Sequence, residues 1–238
     1  MNDEDKAQQE LINTLEKMRL QLDETKKSEL GIGHAQYATR TSEIRYRRLF
    51  EIAETIAEMI DKKEPYKAGH HLRVADLACA IGKEMNLADD QINGIRMGSI
   101  IHDIGKMFVP SEFLIKPTKL TETESELVRA HARSGHDILK DIDFPWPVAR
   151  IVLEHHERIN GSGYPSGLTG GNLLMESKIL AVADVVEAIA SPRAYRPARS
   201  IHVSLYDLRG NRGTLYDPEV VDNCLRLFDD QCYKLMED

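Results

Sequence analysis

One carboxylate set in an otherwise apolar helix constrains this chain more than any other feature. The segment KILAVADVVEAIAS, residues 178–191, holds Asp184 with apolar neighbours on nearly every side. A stretch of that length and character reads as a buried helix. A bare carboxylate inside it is costly unless it is paired or bound to a metal. An arginine partner that supports the fold and a cation site both satisfy this demand. Glu187 lies three residues on, along the same helical face.

The rest of the chain repeats the helical pattern. Ile52, Ile56, Met59 and Ile60 line one face of a helix over 44–60, which Pro65 and Gly69 end just before His70. Further helices are expected over 73–85, 89–102, 121–140 and 147–157. After the N-cap pair Asp217–Pro218, a last one is expected over 218–235. The glycine-rich stretch ERINGSGYPSGLTGG, residues 157–171, is a loop. No convincing strand alternation occurs, so the expected fold class is all-α. Leu11, Leu15, Met18 and Leu22 follow a 4-3-4 spacing, the mark of a short coiled-coil seam. A homodimer contact and a helix packed on its own domain fit that seam equally. Gly31 and Gly33 interrupt the pattern, and the expected division is an N-terminal helical extension at 1–43 and a main domain at 44–238.

Charge narrows the partners. A formal net charge of -8 argues against DNA or RNA polymers and anionic membranes, which need a positive field. A small anionic ligand remains compatible, held by metal ions and a few local cations. No apolar run is long enough to insert into a membrane. The polar, acidic start MNDEDKAQQE is unlike a secretory signal. Cys79, Cys224 and Cys232 lack paired spacing and read as reduced small hydrophobes, so a cytoplasmic location is expected.

Against this background the nine histidines stand out by position. His70-His71, His102-Asp103, His131 with His136, and His155-His156 all fall where helices meet loops. Imidazole and carboxylate together make a mixed nitrogen–oxygen donor set suited to iron, manganese, zinc or nickel. Clustered cysteines, the signature of many structural zinc sites, are missing. The donors are too many for one tetrahedral ion, which points to a two-metal centre, an apparatus used to hydrolyse phosphodiesters.

The segments AGHHLRVADLA, HDIGK, HARSGHDIL, HHERINGSGYPSGLTG, AVADVVEAIAS and PRAYR resemble, in order, those of the HD-GYP phosphodiesterases, within the HD hydrolase superfamily. The resemblance covers about 44–228 and implies an HD-domain helical bundle that hydrolyses cyclic di-GMP to linear pGpG and on to GMP. It implies two divalent ions, iron or manganese first, with zinc, nickel or magnesium as alternatives. The implied ligands are His70, His102, Asp103, His131, His155, His156 and Asp184, with Asp103 bridging. Lys106 would stand near the scissile phosphate, and Tyr164, Arg193 and Arg196 would contact substrate. Some members hold a third ion with a glutamate four residues before the first ligand histidine. Tyr66 occupies that position here, so two ions are expected.

Three departures accompany this match. Asn160 stands where the family usually has aspartate, and Glu187 where aspartate follows the last ligand. Both are expected behind the ligands, shaping the loop and the site. Lys67 and His71 replace commoner small hydroxyl residues, and His71 and His136 match no family ligand. Both histidines are expected at the surface or behind the ligands. The departures also suit an alternative, a signalling adaptor that binds a cyclic dinucleotide or a partner protein but turns over weakly.

Overall fold

The computed structural model describes residues 3–29, 35–192 and 198–235. Among them the chain is all-α, with eleven helices, short 3-10 turns and only two isolated β-bridges. An N-terminal pair, α1 (Asp3–Glu29) and α2 (Ala35–Asp61), precedes the bundle. The bundle follows as α3 (His70–Glu84), α4 (Asp89–Ile101), α5 (Ser111–Leu114), α6 (Glu122–Arg129), α7 (His131–Leu139) and α8 (Val148–Glu154). It closes with α9 (Met175–Ala190), α10 (Ile201–Gly210) and α11 (Pro218–Asp229).

Two apolar clusters organise these helices. Leu11, Met18 and Leu22 of α1 are buried in the first, together with Leu49, Ala53 and Ile56 of α2 and Ile100 and Ile101 of α4. The 4-3-4 seam is thus consumed inside the chain, so a homodimer would have to use other side chains of the N-terminal helices. The helix α2 also runs unbroken across the expected division at 43/44. The second cluster joins Val74, Leu77 and Ile81 of α3 to Ile179, Val182 and Val186 of α9 and Val220, Val221 and Cys224 of α11. Asp217 accepts from the Glu219 amide and caps α11 as expected, although that helix stops at Asp229.

The expected helix over 121–140 is two helices. Thr121 and Glu124 form a reciprocal capping box that starts α6, and the chain turns at Ala130 before α7 begins. That turn brings His131 to a helix start rather than leaving it mid-helix. The helix α10 has no counterpart among the expected elements, although Ile201, Leu205 and Leu208 of IHVSLYDLRG keep an i, i+4, i+7 spacing.

Candidate metal centre

Helix ends build the site. His102 caps the C-terminus of α4, His155 that of α8, and His131 follows the end of α6. The last carbonyls of a helix have no partner within it. Here they accept the Nδ1 protons: His102 donates to Ser99 O at 2.7 Å, His131 to Val128 O at 2.6 Å, and His155 to Val152 O at 2.6 Å. Each ring is therefore fixed with its Nε2 lone pair facing inward. Burial pushes His102 and His131 down to about 3 and His155 to about 4, and holds His156 well below the ordinary value. At neutral pH all four are neutral, the form that ligates a metal.

The donors fall into groups around Asp103. Asp103, His131, His155 and His156 each offer an atom within 4.8 Å of the others, and so do His70, His102 and Asp184. The two oxygens of Asp103 face different groups, Oδ1 at 3.4 Å from His131 Nε2 and Oδ2 at 3.5 Å from His102 Nε2. His131 Nε2 and His155 Nε2 lie 3.2 Å apart. With both Nδ1 atoms protonated, neither Nε2 carries a hydrogen to give. Two lone pairs pointed at each other in a buried pocket fit a shared cation, and the donor set suits a borderline divalent ion.

Cations flank Asp103 on the other side. Lys106 Nζ donates to its Oδ2 at 2.6 Å and approaches Glu64 Oε1 at 3.1 Å, while Lys67 Nζ lies 3.6 Å from Oδ2. Burial by itself would raise Asp103, but Lys106, His102 and Lys67 together hold it well below the carboxylate range. Burial would likewise lower Lys106, and Asp103 and Glu64 outweigh it, so the ammonium stays charged. Glu64 sits at about 2, held down by Lys106 and Lys67 against its burial. Lys63 fixes the turn Ile104–Phe108 from outside by donating to the carbonyls of Met107 and Val109 at 3.0 and 2.9 Å.

Asp184 faces His70 Nε2 at 3.4 Å from mid-α9. Burial would raise it, yet His70 and His102 hold it well below its usual value. The arginine that could have partnered it belongs instead to Glu187. Arg73 donates to Glu187 Oε1 through Nε and Nη2, both at 2.9 Å, and Ser191 Oγ donates to the same oxygen at 2.6 Å. Glu187 Oε2 pairs with His70 Nδ1. The extra methylene relative to aspartate is thus accommodated with the contact to His70 intact.

The GYP loop packs on this centre. A Cβ at Gly163 would lie 2.4 Å from Glu157 Cα and 2.5 Å from His156 O, so only glycine permits the approach. The Tyr164 ring centroid sits 4.7 Å from that of His156. The Arg129 guanidinium lies over the same tyrosine ring, 5.5 Å from its centroid. Buried Glu157, the glutamate of HHERINGSGYPSGLTG to which the resemblance assigned no role, accepts from the Ser166 and Leu168 amides at 2.7 and 3.0 Å and anchors the loop. Asn160 is corrected: it does not reach the ligands. Its Oδ1 accepts from Ser162 N at 3.0 Å and Ser162 Oγ at 2.7 Å, because an exposed turn amide bonds locally.

A cavity of about 910 Å³ opens onto Asp103, His156 and Asp184. Lys67 and Lys106 supply cations to its wall, and the segment Phe113–Leu120 forms another side. In the sequence only the apolar run FLI, a few residues after HDIGK, marks that segment. His136 lies partly exposed beside Asp137, away from the centre, as expected. Of the two places expected for His71, the structure takes the inner one: it is buried among His70, His102 and Asp103, because the start of α3 turns both consecutive rings inward. Arg193 and Arg196 lie outside the described residues, as does the Tyr66 side chain.

A family model described as an HD domain matches residues 54–220. The chain belongs to the HD-GYP/HD-domain family. Within that family it is 36% identical over 178 residues to the cyclic di-GMP phosphodiesterase response regulator RpfG of Xanthomonas campestris, covering 74% of this chain and 47% of that one. It is 35% identical over 168 residues to the 3′3′-cGAMP-specific phosphodiesterase 3 of Vibrio cholerae, covering 71% and 36%. The chain thus spans less than half the length of either relative. The solved structure of an HDGYP protein from Bdellovibrio bacteriovorus matches with a TM-score of 0.61 at 14% identity, over 90% of this chain and 70% of that one, a likeness of fold. No described helix is long and apolar enough to cross a membrane.

Proposed function

We propose that the chain is a metal-dependent phosphodiesterase of cyclic dinucleotides, with cyclic di-GMP the leading substrate and linear pGpG, then GMP, the products. The observation that carries this reading is the opposed pair of Nε2 lone pairs, His131 and His155, 3.2 Å apart beside Asp103. Seven donors, His70, His102, Asp103, His131, His155, His156 and Asp184, would hold two divalent ions, iron or manganese first. Asp103, with Oδ1 facing His131 and Oδ2 facing His102, would serve both ions. Ions so held supply Lewis acidity and an activated water.

The chain's own residues would do the rest. Lys106, buried and charged, would stabilise charge on a phosphate oxygen at the cavity wall. Tyr164 would stack near the ligand beside His156, and Arg193 and Arg196 would add contacts to phosphate or guanine. The chain would act in the cytoplasm, with a signalling protein as its regulatory partner.

The test is turnover. Protein loaded anaerobically with ferrous iron or manganese is given cyclic di-GMP, and in parallel 3′3′-cGAMP, and products are separated by chromatography. Metal-dependent conversion of cyclic di-GMP, abolished in His102→Ala/Asp103→Ala, is the expected result. Preference for 3′3′-cGAMP would move the substrate to the mixed dinucleotide. No conversion of either by metal-loaded protein would overturn the enzyme reading in favour of a binding role.

A further inference from the structure

His71 is the one imidazole at the centre that the resemblance leaves without a role. It is 1% exposed, and neither ring nitrogen makes an aligned hydrogen bond. Its Nε2 lies 3.8 Å from Asp103 Oδ2. One donor atom from each of His71, His102 and Asp103 falls within 4.8 Å of the others. A buried ring without hydrogen bonds is unfavourable unless something else satisfies it.

Asp61 completes the arrangement. Its Oδ2 accepts the Gly69 amide at 2.9 Å, which fixes the turn leading into α3. Its Oδ1 lies 2.8 Å from His71 Nδ1, near enough to hold the proton there once the ring rotates slightly into line. A carboxylate behind one imidazole nitrogen, with the other turned toward further donors, is the usual support of a metal-bound histidine.

We propose that His71, oriented by Asp61, is an additional ligand to the ion held by His102, on the side of Asp103 Oδ2. It does not create a third ion. His102 has one inward nitrogen, since Nδ1 is committed to Ser99 O, and one nitrogen serves one ion. The donor count around the His102 ion therefore rises by one nitrogen, a feature of this chain's His-His pair.

The inference rests on the metal-centre reading above, and titration with Co²⁺ separates the two. Binding is followed by absorbance and by metal content per chain in the wild type, His71→Gln and Asp61→Asn, with circular dichroism confirming the fold. The Asp61→Asn change keeps an oxygen for the Gly69 amide while removing the charge behind the ring. The expected result is two Co²⁺ in the wild type. In both variants one of the two sites weakens by about ten- to a hundredfold, and its absorption band shifts in His71→Gln. Two ions bound with wild-type affinity and spectrum in His71→Gln would overturn the inference and leave the metal centre standing. No Co²⁺ bound by the wild type would overturn both.

Discussion

Glu187 Oε2 pairs with His70 Nδ1 across 117 positions of sequence, and Arg73 holds the other oxygen of the same carboxylate. The inward face of His70 is thus set by a residue on another helix. Replacing Glu187 with alanine would strand Arg73 and free the ring. We expect a loss of about 3–5 kcal/mol in stability by denaturant unfolding, with metal affinity down about ten- to a hundredfold. Glu187→Asp should retain most of both.

Gly105 sets how closely the HDIGK turn approaches α7. A Cβ there would fall 1.9 Å from His131 O and 2.6 Å from Gly135 N, both backbone atoms that cannot step aside. Gly105→Ala should lower stability by about 3 kcal/mol or more, and displace Asp103 and Lys106. Gly171→Ala, with nothing within 4 Å of the added methyl, is the matched control and should stay within about 0.5 kcal/mol. Thermal denaturation of the pair checks this.

The buried imidazoles make the metal-free protein acid-sensitive. His102, His131 and His155 stay neutral down to about 3–4 when folded, whereas unfolded histidine binds a proton near 6.5. Between these values the unfolded state binds more protons, so their contribution is fully present above 6.5 and lost as pH falls toward 4. His70, raised by Glu187 against its burial, acts in the opposite sense and offsets only part. Melting of metal-free protein should therefore move to lower temperature from about pH 7 to about pH 5. A flat or inverted profile would contradict the neutral assignment.

On the proposed reading, Lys106 acts on the reaction rather than on the ions. Lys106→Met should lower kcat by about 10²–10³-fold while metal content per chain stays at the wild-type value. Loss of metal in that variant would assign the lysine to holding Asp103 instead.

Met18 tests where the N-terminal seam belongs. It is fully buried within the chain's own first cluster. Met18→Ala should cost about 2–5 kcal/mol with no change in mass by light scattering. A change of oligomeric state would return the seam to a homodimer.

The sequence by itself determined the helical class, the glycine loop and the histidine clusters at helix ends, and the family resemblance narrowed these to seven candidate donors. Those properties are local: a 3.6-residue period, turn-forming glycines, and histidines set where a helix ends and its last carbonyls need a donor. The Nδ1 contacts of His102, His131 and His155 each span three residues and follow from that position. Only the tertiary structure decided which partners those donors face. Arg73 went to Glu187 and not to Asp184, His71 turned inward against Asp103, and Phe113–Leu120 became a cavity wall. Each of these depends on how separate helices dock. Docking is set by side-chain volume and close backbone approach over long sequence separations, for which no local period exists.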